Sequence, residues 1–123
     1  MKKLALFLIA TTAFLAGCGQ QQSDITAFES GYTAEQKESL AMCLTEKNVV
    51  MYGTERCPHC KDQKAAFGEA FAKATYVDCD KQSLQCQTAG VQGFPTWIGG
   101  SSIKLEGTQT LADLATAAGC TIQ

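Results

Sequence analysis

Apolar residues recur at helical spacing in the first patterned stretch: Leu40, Ala41 and Leu44 follow Thr33-Ala34-Glu35-Gln36, which has the Ser/Thr-x-x-Glu/Gln form of a capping box. This predicts a helix over about 34–47, ended by Asn48. Val49-Val50-Met51-Tyr52 is an uncharged β-branched and aromatic run, which reads as a buried strand closed by Gly53-Thr54. Phe67, Ala70, Phe71 and Ala74 then fall at i, i+3, i+4 and i+7, the apolar face of a helix over about 58–73 that Cys57 would cap and Pro58 would open. Cys60, seven residues before Phe67, points inward on that face; Cys57 at the tip need not be buried.

A second strand is read at Thr75–Asp78, and a short helix from Ser83 to Ala89 stopped by Gly90. Phe94-Pro95-Thr96-Trp97-Ile98 begins as a turn and continues as a strand, with Trp97 assigned to the core. Gly99-Gly100 turns that strand into Ile103-Lys104-Leu105, and Thr110 with Asp113 introduces a closing helix ended by Gly119. The order is helix, then β-α-β-α-β-β-α. It implies a mixed four-stranded α/β sheet flanked by helices, with an extra N-terminal helix and the first two strands parallel through a right-handed crossover.

Ahead of this body the chain runs Met-Lys-Lys, an apolar stretch to Phe14, and Leu-Ala-Gly-Cys ending on Cys18. A basic start, an apolar run short for a membrane span and a small-residue processing site make an export signal over 1–17. Its ending resembles the bacterial lipobox, which implies Cys18 as a lipidated mature N-terminus; a plain secretory signal is the alternative. Residues 18–32 read as lipidated cysteine and flexible tether, and 33–123 as the folded domain. The expected location is the cell membrane, lipid-anchored on its extracytoplasmic or periplasmic side.

Composition then narrows the chemistry. Ten Lys and Arg against twelve Asp and Glu in 123 residues make no broad basic field, so no nucleic-acid partner is expected. Outside the membrane the seven cysteines suggest disulfides, and setting Cys18 aside leaves an even number. No cofactor is called for. A zinc half-site is the alternative for Cys57 and Cys60, but Cys79 and Cys86 lie seven apart and bring no partner histidine, so no metal is assigned.

A dithiol catalyst needs one exposed thiol ionised near neutral pH and a second within reach to resolve the mixed disulfide. Cys57-Pro58-His59-Cys60 at a helix start meets both demands: the N-terminal N–H groups and the helix dipole favour a thiolate, bringing a cysteine from about 8.5 into a range of about 3.5–7.5. Pro58 fixes the turn. His59 beside the thiolate favours the reduced form and so a more oxidising disulfide, unless it is only a solvated first-turn residue.

A buried strand, CPHC at a helix start and Gly93-Phe94-Pro95-Thr96 before a hairpin resemble the thioredoxin superfamily, glutaredoxin-sized here. The resemblance implies a cis Pro95 opposite the CxxC, with Phe94 and Pro95 shaping a substrate groove. The stretches CLTEKNVVMYGTERCPHCKDQKAAFGEAF, YVDCD and AGVQGFPTW look, more narrowly, like the thioredoxin-like domain associated with bacterial vitamin K epoxide reductase homologues. That likeness implies electrons taken from protein thiols and passed to a quinone-linked membrane partner of that type, expected here as a separate chain. Many thioredoxins hold a buried acid in the first strand for the resolving cysteine's proton; the matching place is Met51.

Six cysteines allow 15 pairings. If Cys57 and Cys60 are the catalytic couple, Cys79 and Cys86 flank one loop closely enough to bridge, and Cys43 and Cys120 then pair; a second redox couple at Cys79–Cys86 is the alternative. The expected activity is a thiol:disulfide oxidoreductase acting on protein thiols and disulfides, oxidation preferred to reduction or isomerisation. A thioredoxin-fold lipoprotein adaptor, with CPHC only a staple, is the reading from another class.

Overall fold

The computed structural model describes residues 31–123; the signal segment, Cys18 and the tether as far as residue 30 lie outside the described residues. Helix α1, Ala34–Glu46, starts in a full capping box: Gln36 N–H donates to Thr33 Oγ1 (3.2 Å) and Thr33 N–H donates to Gln36 Oε1 (3.0 Å). It buries Leu40, Ala41 and Leu44, and Tyr32 ahead of it also packs on the core. Asn48 adopts φ 56°, the left-handed conformation that asparagine tolerates, and turns the chain into β1, Val50–Gly53.

β1 runs parallel to β2, Thr75–Asp78, with Val50 opposite Thr75 and Gly53 opposite Asp78. On its other side it pairs antiparallel with β3, Thr96–Gly99, which pairs antiparallel with β4, Ile103–Glu106. The sheet order is β2-β1-β3-β4. Alternation along β1 separates two clusters: Met51 faces Trp97, Leu40, Leu44, Phe67, Leu111 and Leu114, whereas Tyr52 joins Val77, Cys79 and Cys86. Helices α1, α2 (Pro58–Phe67) and α4 (Leu111–Ala118) cover the first face, and α3 (Ser83–Thr88) the second.

The crossover between β1 and β2 departs from the sequence pattern. The expected helix over 58–73 is an α-helix only to Phe67; Gly68 takes φ 62° and ψ −138°, which no right-handed helix contains, and Gly68–Lys73 continues as a 3₁₀ segment. Phe71 and Ala74 still pack against the core, so the apolar spacing located the inward face while missing the break in the axis. Thr45 ties the far end of this segment to α1, donating from Oγ1 to the Lys73 carbonyl at 2.8 Å.

Two disulfides close the body. Cys43 on α1 is bonded to Cys120 just past α4, with Cα atoms 6.1 Å apart, and Cys79 after β2 is bonded to Cys86 on α3, with Cα atoms 5.8 Å apart. Among the described residues no helix is long and apolar enough to cross a membrane.

Candidate active site

The end of β1 aims the chain at the start of α2. After Gly53 a short turn, Thr54-Glu55-Arg56, is closed by the Cys57 N–H donating to the Thr54 carbonyl (3.4 Å). Cys57 is the N-cap, with extended backbone, and Pro58 occupies the first helical turn, where an absent N–H costs nothing. Cys57 and Cys60 are both free thiols, the first partly exposed and the second fully buried.

The Phe94–Pro95 peptide is cis, and the Phe94 carbonyl accepts from Cys57 Sγ at 3.7 Å. Pro95 is buried, Phe94 is exposed beside the thiol, and Thr96 Oγ1 donates to the Gly93 carbonyl at 2.7 Å, bracing the turn that presents them. A CxxC at the head of the first crossover helix, opposite a cis-proline entering the antiparallel hairpin of a β2-β1-β3-β4 sheet, settles the architecture. The fold is thioredoxin-like.

In this thioredoxin-like frame the two sulfurs meet different surroundings. Cys60 Sγ presses against Gly53, where a Cβ would come within 2.6 Å of it. Burial pushes the Cys60 thiol up to about 11; the backbone hydrogen bond from Thr54 pulls it down, and a charge on Cys57 pushes it up again. At neutral pH Cys60 is therefore a thiol, and Cys57 is the sulfur open to attack. His59 stands in solvent with Nδ1 3.9 Å from Asp62 Oδ2, while its carbonyl accepts from Thr108 Oγ1 (3.3 Å). Arg56 pairs in two-pronged fashion with Asp80 (2.9 and 2.8 Å), linking the Cys57 turn to the segment after Cys79.

Two groups of residues at this site were not singled out by the sequence. Gln63, one turn beyond Cys60, is completely buried: its Oε1 accepts from Trp97 Nε1 (3.2 Å) and from Gln109 N–H (2.7 Å), and its Nε2 donates to the Gln109 carbonyl (3.1 Å). A polar residue on an otherwise apolar helix face is the signal that marks it. The other group is Glu55, Lys64 and Tyr76: Lys64 Nζ lies 2.6 Å from Glu55 Oε1 and 3.9 Å from the centre of the Tyr76 ring. Among the described residues no cluster of three or more His, Cys, Asp or Glu side chains is arranged to hold a metal.

No family model matches this chain. It is 34% identical over 107 residues to the thiol-disulfide oxidoreductase LTO1 of Arabidopsis thaliana, an alignment that takes in 80% of this chain and 27% of the relative. The chain thus spans little more than a quarter of that protein's length.

Proposed function

We propose that this chain is a membrane-tethered, extracytoplasmic thiol:disulfide oxidoreductase whose working couple is Cys57–Cys60. The observation that carries the reading is the asymmetry of the pair: a partly exposed Cys57 at a helix N-terminus, against a cis-proline turn, with Cys60 buried behind it. The likeness to a protein named as a thiol-disulfide oxidoreductase supports the same chemistry. Two further disulfides in a domain this small are in keeping with an oxidising compartment.

In the oxidising direction a substrate thiolate attacks Cys57 Sγ of the Cys57–Cys60 disulfide. The Cys57–Cys60 bond breaks, Cys60 leaves with the electron pair and takes up a proton, and a mixed disulfide joins Cys57 to substrate. A second substrate thiolate then attacks the substrate sulfur of that bond and frees Cys57 as a thiolate at the helix N-terminus. Phe94 forms the exposed apolar lip on which substrate chain lies, the buried Pro95 sets the turn behind it, and Pro58 holds the turn at the helix start. His59, one residue past the helix start and in solvent beside Asp62, is assigned a tuning role by its place between the two cysteines.

The two electrons go on to a vitamin K epoxide reductase-like, quinone-linked membrane partner, and Cys18 carries the lipid that holds the domain at that membrane. Refolding of reduced ribonuclease tests the activity: wild type accelerates disulfide formation and Cys57→Ser does not. Absence of activity in both leaves the thioredoxin-like body as an adaptor. A Cys57–Cys60 potential of about −120 to −180 mV agrees with oxidation, whereas about −270 mV reverses the direction. Loss of membrane association and of radiolabelled palmitate on Cys18→Ser tests the anchor.

A further inference from the structure

Cys60 must shed a proton whenever it attacks and take one up whenever it leaves, yet the first strand offers no acid beneath it: Met51 is fully buried there. The neighbouring strand supplies a different group. Tyr76 of β2 is the register partner of Met51, and partners in adjacent strands present side chains to the same face. A Cβ built on Gly53 would lie 2.6 Å from Cys60 Sγ and 3.4 Å from Tyr76 Cε2, so thiol and phenol edge crowd the same glycine. The Tyr76 hydroxyl oxygen is buried and closes no hydrogen bond of good geometry, an uncommon condition that invites a functional reading.

The charged groups around that ring are Glu55 from the turn after β1, Lys64 and Cys60 from α2, and Asp78 from its own strand. Burial first, then the Glu55 and Asp78 carboxylates, push the Tyr76 hydroxyl up, so it remains protonated and able both to donate and to accept. Glu55 lies against it and is itself more than half exposed, and the Lys64 ammonium, fixed over the ring, holds the carboxylate at 2.6 Å.

Resting on the reading of Cys57–Cys60 as an exchanging couple, we propose that Tyr76 and Glu55 form the proton path of Cys60, with Lys64 as the positioning residue. On attack, the Cys60 S–H proton passes to the Tyr76 oxygen as the Tyr76 proton passes to a Glu55 carboxylate oxygen, which returns it to water. Cys60 then forms its bond to Cys57 Sγ and the bond from Cys57 to the substrate sulfur breaks. When Cys60 leaves as a thiolate the same protons move in reverse. Tyr76 ends each transfer neutral, and no other oxidant or reductant is consumed.

The test uses the reduced protein and excess 5,5′-dithiobis(2-nitrobenzoate), followed by stopped flow. The first thionitrobenzoate is released as Cys57 attacks, the second as Cys60 resolves the adduct. Tyr76→Phe is expected to leave the first phase unchanged and to slow the second about tenfold or more near neutral pH, in the range of lost general acid–base catalysis. The second-phase rate should then climb with hydroxide instead of levelling. Glu55→Gln, on the exposed turn, should slow the same phase, and the double variant should be no slower than Tyr76→Phe alone. An unchanged second phase and pH profile in Tyr76→Phe, or slowing that multiplies in the double variant, overturns the path; should Tyr76→Phe fail to fold, an unslowed Glu55→Gln does the same. A wild type that shows both phases but oxidises no ribonuclease sinks the functional reading and spares the path, whereas a wild type without a second phase sinks the path.

Discussion

Opening the Cys43–Cys120 bridge is the severest single perturbation this fold should survive. The bridge closes a ring across a sequence separation of 77 residues, and the one between Cys79 and Cys86 a ring of 7. In the chain-entropy treatment the first restricts the unfolded chain by about 4.5 kcal/mol at 25 °C and the second by about 2.4 kcal/mol. Against a total of roughly 5–15 kcal/mol for an ordinary domain, Cys43→Ala/Cys120→Ala should leave a protein near its folding threshold. Its thermal midpoint should fall by about 20–35 °C, since each kcal/mol is worth about 4–8 °C in a domain this size. Urea titration by far-UV circular dichroism measures the loss, in a Cys57→Ser background so that the active-site thiol cannot reshuffle the bridges. The denaturant slope should rise as well, because the freed unfolded chain exposes more surface. A loss under about 2 kcal/mol with an unchanged slope would refute the ring-closure account.

Gln63→Leu should destabilise by about 2–4 kcal/mol in the same titration, because the Trp97 Nε1–H and the Gln109 N–H both lose their acceptor; a neutral result would mean that neither is held by Gln63. Gly53→Ala places a Cβ 2.6 Å from Cys60 Sγ, and the overpacking should cost about 1–3 kcal/mol and slow closure of the Cys57–Cys60 disulfide, both measurable against wild type. The raised Cys60 value fixes the sign of a pH dependence: a thiol held protonated in the fold adds stability that is whole below 9.0 and is lost as pH climbs towards about 11. Stability of the reduced protein should therefore fall across that alkaline window; Cys60→Ala removes the part that sets in above 9.0 and leaves the fall that the raised Tyr76 hydroxyl adds above 10.0. Iodoacetamide should correspondingly alkylate one cysteine at pH 8 by mass spectrometry, and a second only after urea is added.

Most of what the sequence made legible was local. The Thr33 capping box, the β-branched run into Gly53, Pro58 behind Cys57 and the Gly99-Gly100 hairpin each depend on neighbours within a few residues, and each stands where its pattern placed it. The break at Gly68 escaped because the 3₁₀ segment keeps Phe71 and Ala74 on the inward side, so the spacing of apolar residues hardly changes where the axis does. Of the long-range partnerships, the Cys43–Cys120 bridge across 77 positions was reached by counting cysteines, but side-chain contacts were not. Gln63 finds its acceptor and donors 34 and 46 positions away, and Tyr76 stands beside Met51 only through the parallel register of β1 and β2. The position that resembles the family's acid was visible as Met51; the hydroxyl next to it was not.

Trp97 is the only tryptophan in the chain, and its indole touches the Phe67 ring while hydrogen-bonding to a glutamine one turn from Cys60. Light absorbed there reports on a single joint, between the helix that carries both active-site sulfurs and the strand entered through the cis-proline. Any tilt of that helix on making or breaking the Cys57–Cys60 bond would alter the indole's hydrogen bond and its ring neighbour together. The protein carries its own optical gauge, readable during turnover with no label attached.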